Sequence, residues 1–344
     1  MKIAVLFGGS SEERHVSIAS ATQVVGALRL AGHSVRAVDT IHGPLTEREE
    51  RELLISNVQP EPPSPDELRI RRAAEAAILS SGALENTDVA FIALHGGAGE
   101  DGTVQAILES MKIPYTGSSA LGCAMAMNKD VSKRLFVASG IRTPAWLLGP
   151  VAADVVEEKL GFPVIVKPCS QGSTVGLTFV RSREELPAAY SVAAKFDQMF
   201  MVEKYISGRE LTVGVLGDAA LAVGEVLLGE AKVYDYRSKY QNGAEEVFPA
   251  TLLDSISSGA KELALRAHRA LNLSSYSRAD FRLDKEGILW CLEVNALPGL
   301  TAMSSLPRSA IVSGISFAEL CDRICELALT CNHKGGYFQD PAMS

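Results

Sequence analysis

The sequence predicts an α/β protein, α+β in part, in three units, the first of which carries a parallel sheet. Three observations predict this. Lys2 to Phe7 is a short apolar run closed by Gly8-Gly9, as in a buried strand that ends in a tight turn. Helical spacing follows, with Ser17, Ala21, Val24, Val25 and Leu28 on one stripe and Gly32 as a stop; Ser34 to Val38 then alternates as a second strand. A strand–helix–strand start implies a right-handed parallel unit.

With 344 residues, the chain is long enough for two or three domains. Its 47% hydrophobic and 22% charged residues are ordinary for a globular protein. A net charge of -8 argues against a general nucleic-acid or anionic-membrane binder. No apolar run approaches the ~20 residues that span a bilayer. Met1 to Gly9 reads as a first strand and not as a signal peptide, and the six scattered cysteines fit reduced thiols, so a cytoplasmic location is expected.

Gln59 to Pro65, with Pro60, Pro62, Pro63 and Pro65, is not expected to form a regular element, and residues 43–68 are expected to form a mobile surface excursion. Val89 to Leu94 is a buried strand ending at His95-Gly96-Gly97. A helix from Thr103 to Met111 and a short strand near Pro114-Tyr115 complete a first unit, 1–122. A second unit, 123–208, holds a helix from Lys129 to Ser139 and strands at Val164–Lys167 and Phe200–Tyr205. The third, 209–344, opens with the alternating strand Glu210–Val215. It closes with a helix begun by the capping box Ser316-x-x-Glu319, which buries Phe317, Leu320, Ile324 and Ala328.

Four constellations stand out. The first is a pair of strands, Ser277–Asp284 and Ile288–Asn295. Period two puts Arg278, Asp280 and Arg282 on one face of the first and Glu293 and Asn295 on one face of the second; Ala279, Phe281, Leu283, Trp290, Leu292 and Val294 take the opposite, apolar faces. Such oxygen donors suit Mg²⁺, and a solvated face with a salt bridge explains them equally well. The second is the small-residue loop Gly172-Ser173-Thr174-Val175-Gly176, either a phosphate cradle or a plain turn. It is not a Walker A loop, and Gly117–Cys123 lacks the lysine that such a loop needs. The third, Tyr234–Gly243, gathers three tyrosines and two cations, as in a closing loop or an ordinary surface loop. The fourth is Ser10-x-x-Glu13, a capping box on composition, or a carboxylate facing the crevice where open α/β sheets bind ligands. Cys321, Cys325, Cys331 and His333 match no common zinc spacing, and His95 reads as a structural hydrogen-bonding residue.

Together these segments resemble the D-alanine–D-alanine ligases of the ATP-grasp superfamily. The resemblance runs from Phe7-Gly8-Gly9-Ser10-Ser11-Glu12-Glu13-Arg14-His15-Val16-Ser17 through His95–Gly102, Val166-Lys167-Pro168, Gly172–Gly176, Tyr234-Asp235-Tyr236-x-x-Lys239-Tyr240, Arg278-x-Asp280 and Glu293-Val294-Asn295-x-x-Pro298-Gly299-x-Thr301 to Ser304-Ser305-Leu306-Pro307. It implies the three-domain ATP-grasp fold, and a ligase that joins two D-alanines through an acyl phosphate for peptidoglycan precursors, hence cell-wall synthesis and cell shape. It further implies ATP and two Mg²⁺ ions, with Mn²⁺ as an alternative, and a homodimer.

Each site residue carries an implied role. Lys129, Lys167 and Lys239 would meet the phosphates, with Glu203, Lys204 and Ile206 at the adenine and Glu210 at the ribose. Asp280, Glu293 and Asn295 would hold the metals. Glu13 would bind the first D-alanine's ammonium, tied to Ser173 and Tyr240. Arg278 and the Gly299 N–H would stabilise an oxyanion, and Ser304, beside Ser305, would hold the second substrate's carboxylate. Asn128, Cys169, Thr174 and Ser305 depart from the commoner residues of the family; none removes a catalytic side chain. Tyr240 favours an amine acceptor over D-lactate, while a D-alanine–D-serine ligase and a non-catalytic nucleotide-binding protein are the competing readings. A protein kinase is excluded, because no His-Arg-Asp loop exists and no glycine-rich loop precedes Lys167.

Overall fold

The computed structural model describes residues 1–54, 65–227 and 245–331. Lys239 and Tyr240, with the rest of the Tyr234–Gly243 stretch, lie outside the described residues, as do Pro60, Pro62, Pro63 and His333.

Three sheets organise the chain. The first contains β1 (Lys2–Phe7), β2 (Ser34–Asp39), β3 (Gly43–Pro44) and β4 (Val89–Ile92) in the order β3-β2-β1-β4. β1 runs parallel to both β2 and β4, as the strand–helix–strand start predicts, and the Arg14–Leu30 helix buries Ala21, Val24, Val25 and Leu28 against them. The second sheet contains β5 (Trp146–Leu148), β6 (Val164–Pro168), β7 (Thr178–Val180) and β8 (Phe200–Lys204) in the order β5-β8-β6-β7, all antiparallel. The third contains β9 (Arg209–Leu216), β10 (Ala219–Leu227), β11 (Glu245–Val247), β12 (Tyr276–Leu283) and β13 (Leu289–Asn295) in the order β11-β10-β9-β12-β13, again antiparallel.

Each sheet has its own apolar core, and the cores cross the chain order. The helix Lys129–Ala138 sends Phe136 into the core of the third sheet, beside Phe281 and Leu271. The helix Phe317–Cys331, begun where Glu319 N–H donates to Ser316 Oγ at 3.3 Å, buries Leu320, Ile324 and Ala328 as expected, whereas Phe317, in its first turn, is only half-buried; Leu320 and Ile324 belong to the core of the first sheet. Cys321 and Cys325 lie on that same buried face. The His33 ring, 2.8 Å from Asp322, ties this helix to the entry of β2.

The structure corrects the sequence reading at three places. Regular elements occur within 43–68: β3 and the helix Glu47–Leu53 at its start, and the helix Pro65–Ser80 from Pro65 onward. Thr46 explains the first of these helices, because Thr46 Oγ1 accepts from Glu49 N while Thr46 N–H donates to the Glu49 carboxylate at 2.8 Å, a complete capping box. No capping box forms at Ser10-x-x-Glu13. The helix begins at Arg14, Ser10 donates instead to the buried Glu75 at 2.8 Å, and the Glu13 carboxylate is engaged elsewhere.

The third correction concerns the apolar face of β13. Strict alternation places Trp290 and Leu292 with Val294, but Asp280 pairs with Glu293 while Phe281 pairs with Cys291, so a bulge inserts Leu292. Cys291 and Val294 therefore reach the core, Trp290 turns its indole N–H to Asp284 at 2.7 Å, and Leu292 stands on the same wall as Glu293.

Candidate active site

A cavity of about 600 Å³ lies where the three sheets meet. Every described residue with a predicted site role lines it. The register of the third sheet explains much of this. Pairing of β9 with β12 sets Glu210 opposite Arg282 and Thr212 opposite Asp280; pairing of β12 with β13 sets Asp280 opposite Glu293 and Arg278 opposite Asn295. One wall thereby gathers three carboxylates, a carboxamide and two guanidinium groups.

Charge pairing organises that wall. Arg278 grips Asp280 through Nε and Nη2, at 3.0 and 2.8 Å, and Thr212 Oγ1 donates to Asp280 at 2.7 Å. Burial alone would lower the Arg278 pKa, but Asp280 outweighs it and holds the group firmly cationic. Lys129 Nζ sits 3.0 Å from Glu293 and donates to the Gln171 carbonyl at 2.7 Å. Burial would raise the Glu293 carboxyl, yet Lys129 and Lys167 hold it down at about 2. Glu210, 3.1 Å from Arg282, is pushed up to about 7 by burial, and Asp280 and Glu293 add to that shift. Asn295 Oδ1 accepts from Leu297 N–H at 2.9 Å, which fixes its carboxamide on the wall.

Opposite stands the second sheet. β6 delivers Lys167 and the neighbouring β8 delivers Glu203, whose carboxylate is 3% exposed as a residue and takes Lys167 at 2.8 Å and Lys133 at 2.6 Å. Lys204 and Ile206 continue this edge along the cavity. The helix carrying Lys129 and Lys133 starts at Asn128, whose Oδ1 accepts from Asp130 N and Val131 N, both at 3.1 Å; asparagine caps here as aspartate would. The loop from β6 to β7 joins two antiparallel strands, and its Gly172–Val175 stretch lines the cavity. Ser173 and Thr174 adopt φ of +50° and +59°, a left-handed conformation that side chains resist.

The first unit closes the cavity from the other side. Ser173 Oγ donates to Glu13 Oε1 at 2.6 Å, joining that turn to the start of the Arg14–Leu30 helix. Gly96 permits the approach, since a Cβ there would stand 2.8 Å from Glu13 Oε2. His95, buried, meets Ser20 Oγ at 2.9 Å and accepts Ser11 at its carbonyl, in line with its structural reading. At the far end Ser304 Oγ lies 2.8 Å from Thr301 Oγ1, and a Cβ at Gly299 would stand 2.8 Å from that same Oγ. Ser305 donates to Glu246 at 3.1 Å, and Arg308 donates to the Glu246 carbonyl at 2.6 Å.

Sequence reasoning missed Lys133, Thr212, Glu246 and Arg308. Thr212 becomes visible only when β9 is paired with β12. Lys133 lies one helical turn after Lys129, a spacing that by itself cannot separate a buried cation from a solvated one.

Comparison with known proteins agrees along nearly the whole chain. The family model for the D-ala D-ala ligase N-terminus matches residues 2–118, and that for the D-ala D-ala ligase C-terminus matches residues 140–326. A D-alanine–D-alanine ligase of Syntrophobacter fumaroxidans is 41% identical over 338 residues, 96% of this chain and 98% of that one. One of Geobacter sulfurreducens is 40% identical over 327 residues, covering 94% and 92%. The crystal structure of D-alanine–D-alanine ligase from Bacillus anthracis complexed with ATP superposes with a TM-score of 0.74 at 29% identity, covering 98% of this chain and 100% of that one. The Coxiella burnetii ligase gives 0.79 at 26% identity, covering 97% and 95%. Family models over most of the chain and relatives about 40% identical across nearly all of it lead to one conclusion: the chain belongs to the D-alanine–D-alanine ligases.

Proposed function

We propose that the chain joins two D-alanine molecules with ATP, in two steps within the cavity. In the first, a carboxylate oxygen of one D-alanine attacks the γ-phosphorus, the bond to the ADP oxygen breaks, and an acyl phosphate forms. In the second, the amine of another D-alanine attacks the acyl carbon, phosphate leaves, and the amine gives up a proton. The observation that supports this reading most is the meeting of Asp280 and Glu293 as direct cross-strand partners on a wall shared with Arg278 and Lys129.

Each group has work suited to its chemistry. Glu13, fixed by Ser173, is an anion able to pair with the first D-alanine's ammonium. Lys129 and Lys167 bring positive charge to the polyphosphate, with Glu203, Lys204 and Ile206 along the adenine edge and Glu210 at the ribose. Phosphoryl transfer depends mostly on positioning and charge neutralisation. Asp280, Glu293 and Asn295 offer only hard oxygen donors and fit Mg²⁺, which would polarise the transferring phosphoryl group. Arg278 and the Gly299 N–H would meet the oxyanion of the tetrahedral intermediate, while Ser304 would hold the acceptor's carboxylate. Lys239 would meet the γ-phosphate, and Tyr240 would be tied to Glu13. We further propose a cytoplasmic homodimer; among the described residues no helix is long and apolar enough to cross a membrane.

The test mixes protein, Mg-ATP and D-alanine and measures phosphate and dipeptide together. D-alanine-dependent phosphate release with D-alanyl-D-alanine as the main product is expected. Nucleotide binding without turnover would point to a non-catalytic protein, and a dominant mixed product with D-serine or D-lactate would overturn the acceptor assignment.

A further inference from the structure

Along the cavity, four cations and four carboxylates form simple pairs: Lys129 with Glu293, Arg278 with Asp280, Arg282 with Glu210 and Arg308 with Glu246. Among the described residues Glu203 departs from this pattern, because it carries two lysines, one on each oxygen. Lys167 faces the cavity. Lys133 does not: it is 0% exposed, donates to Thr143 Oγ1 at 2.6 Å as well as to Glu203, and its Nζ lies 5.0 Å from the centre of the Trp146 ring. A second buried ammonium is costly, so its position calls for a reason. Burial pulls the Lys133 pKa down and Glu203 opposes that shift; a single lysine on Glu203 would leave a neutral pair, and two protonated lysines leave a net positive charge of one.

We infer that Lys133 is a positioning residue: by taking one oxygen of Glu203 from behind, it leaves Lys167 with an uncompensated positive charge directed at the phosphates of a bound nucleotide. This rests on the nucleotide reading of the cavity. Glu203 is the hinge of the device, since both lysines act through its one carboxylate. Thr143 and the Trp146 ring hold Lys133 in place without neutralising it.

Charge then becomes a ladder that substitutions can climb. Glu203→Gln leaves two cations, wild type one, the double variant Lys133→Met/Glu203→Gln one, and Lys133→Met none. The readout is the affinity for ADP relative to adenosine, both by isothermal titration calorimetry. Only ADP carries phosphates, so a merely structural defect moves both ligands alike. Lys133→Met is expected to lower the ADP-to-adenosine ratio roughly tenfold or more, the scale set by loss of a unit charge near the phosphates at an effective dielectric of about 20. The double variant is expected to return that ratio to near the wild-type value, and Glu203→Gln to exceed it. If Lys133→Met does not fold, the step from Glu203→Gln to the double variant still removes one charge and should show the same fall in ratio. An unchanged ratio across the ladder, or equal losses of ADP and adenosine, would overturn the inference. Wild-type protein that binds no ADP would instead overturn the nucleotide reading itself.

Discussion

Ser173 offers a sharp test of how the site is held together. Its hydroxyl donates to the Glu13 carboxylate at 2.6 Å while its backbone, and that of Thr174, sit at positive φ. Two opposing quantities meet at this residue. A hydrogen bond to a charged group contributes roughly 1.5–3 kcal/mol. The left-handed conformation costs roughly 1–2 kcal/mol per non-glycine residue. Ser173→Ala removes the bond and keeps the strain; Ser173→Gly removes the bond and relieves part of the strain. If closure of the turn onto Glu13 is needed for turnover, Ala should lower kcat/KM for D-alanine by about 10- to 150-fold, the rate equivalent of the lost bond. Gly should recover up to about tenfold of that loss. Steady-state phosphate release across a D-alanine series measures both, with thermal unfolding as the control for folding. An Ala variant equal to or better than the Gly variant would refute the strain argument, and an Ala variant within twofold of wild type would refute the role of the bond.

Three other outcomes follow from the site and core. Arg278→Ala should lower turnover by about 10²–10³ while ADP affinity changes little, if its guanidinium meets the oxyanion and not the nucleotide; equal losses in both would remove that role. Glu293 is ionised down to about 2 in the folded chain and to the ordinary carboxylate range when unfolded, so its contribution to stability is complete above about pH 4.5 and is lost as pH falls towards 2. Lys129→Met should therefore flatten the acid limb of stability, read as urea midpoints at about pH 5 and pH 3, and an unaltered slope would count against the Lys129–Glu293 coupling. Phe281, fully buried in the core of the third sheet, should cost about 3–5 kcal/mol when replaced by alanine, measured by denaturant unfolding.

The parallel start of the fold was legible because its apolar periodicities are local: Lys2–Phe7, the helical stripe after Arg14 and Ser34–Val38 each announce their own element. The carboxylate wall was legible for the same reason up to Glu293, where period two fails. A bulge is set by pairing between strands, and no pattern within Ile288–Asn295 marks Leu292 as the extra residue. Glu13 shows a different limit. Ser10-x-x-Glu13 satisfies a local capping rule, yet both side chains find distant partners, Glu75 and Ser173, that sequence neighbours cannot reveal. Lys133, on the same helix as Lys129, was hidden because burial of a lysine is decided by what folds over it.

The helix Phe317–Cys331 lies against Arg14–Leu30 and lends Leu320 and Ile324 to the core begun by the first strands. Two helices far apart in sequence are thus welded into one body. During synthesis the Arg14–Leu30 helix must wait until Phe317–Cys331 has been made before its greasy flank is covered, a long interval of exposure in which chaperones would have an opening. Trimming the chain back to about residue 315 would leave that flank bare, and the damage would surface some three hundred positions upstream of the cut.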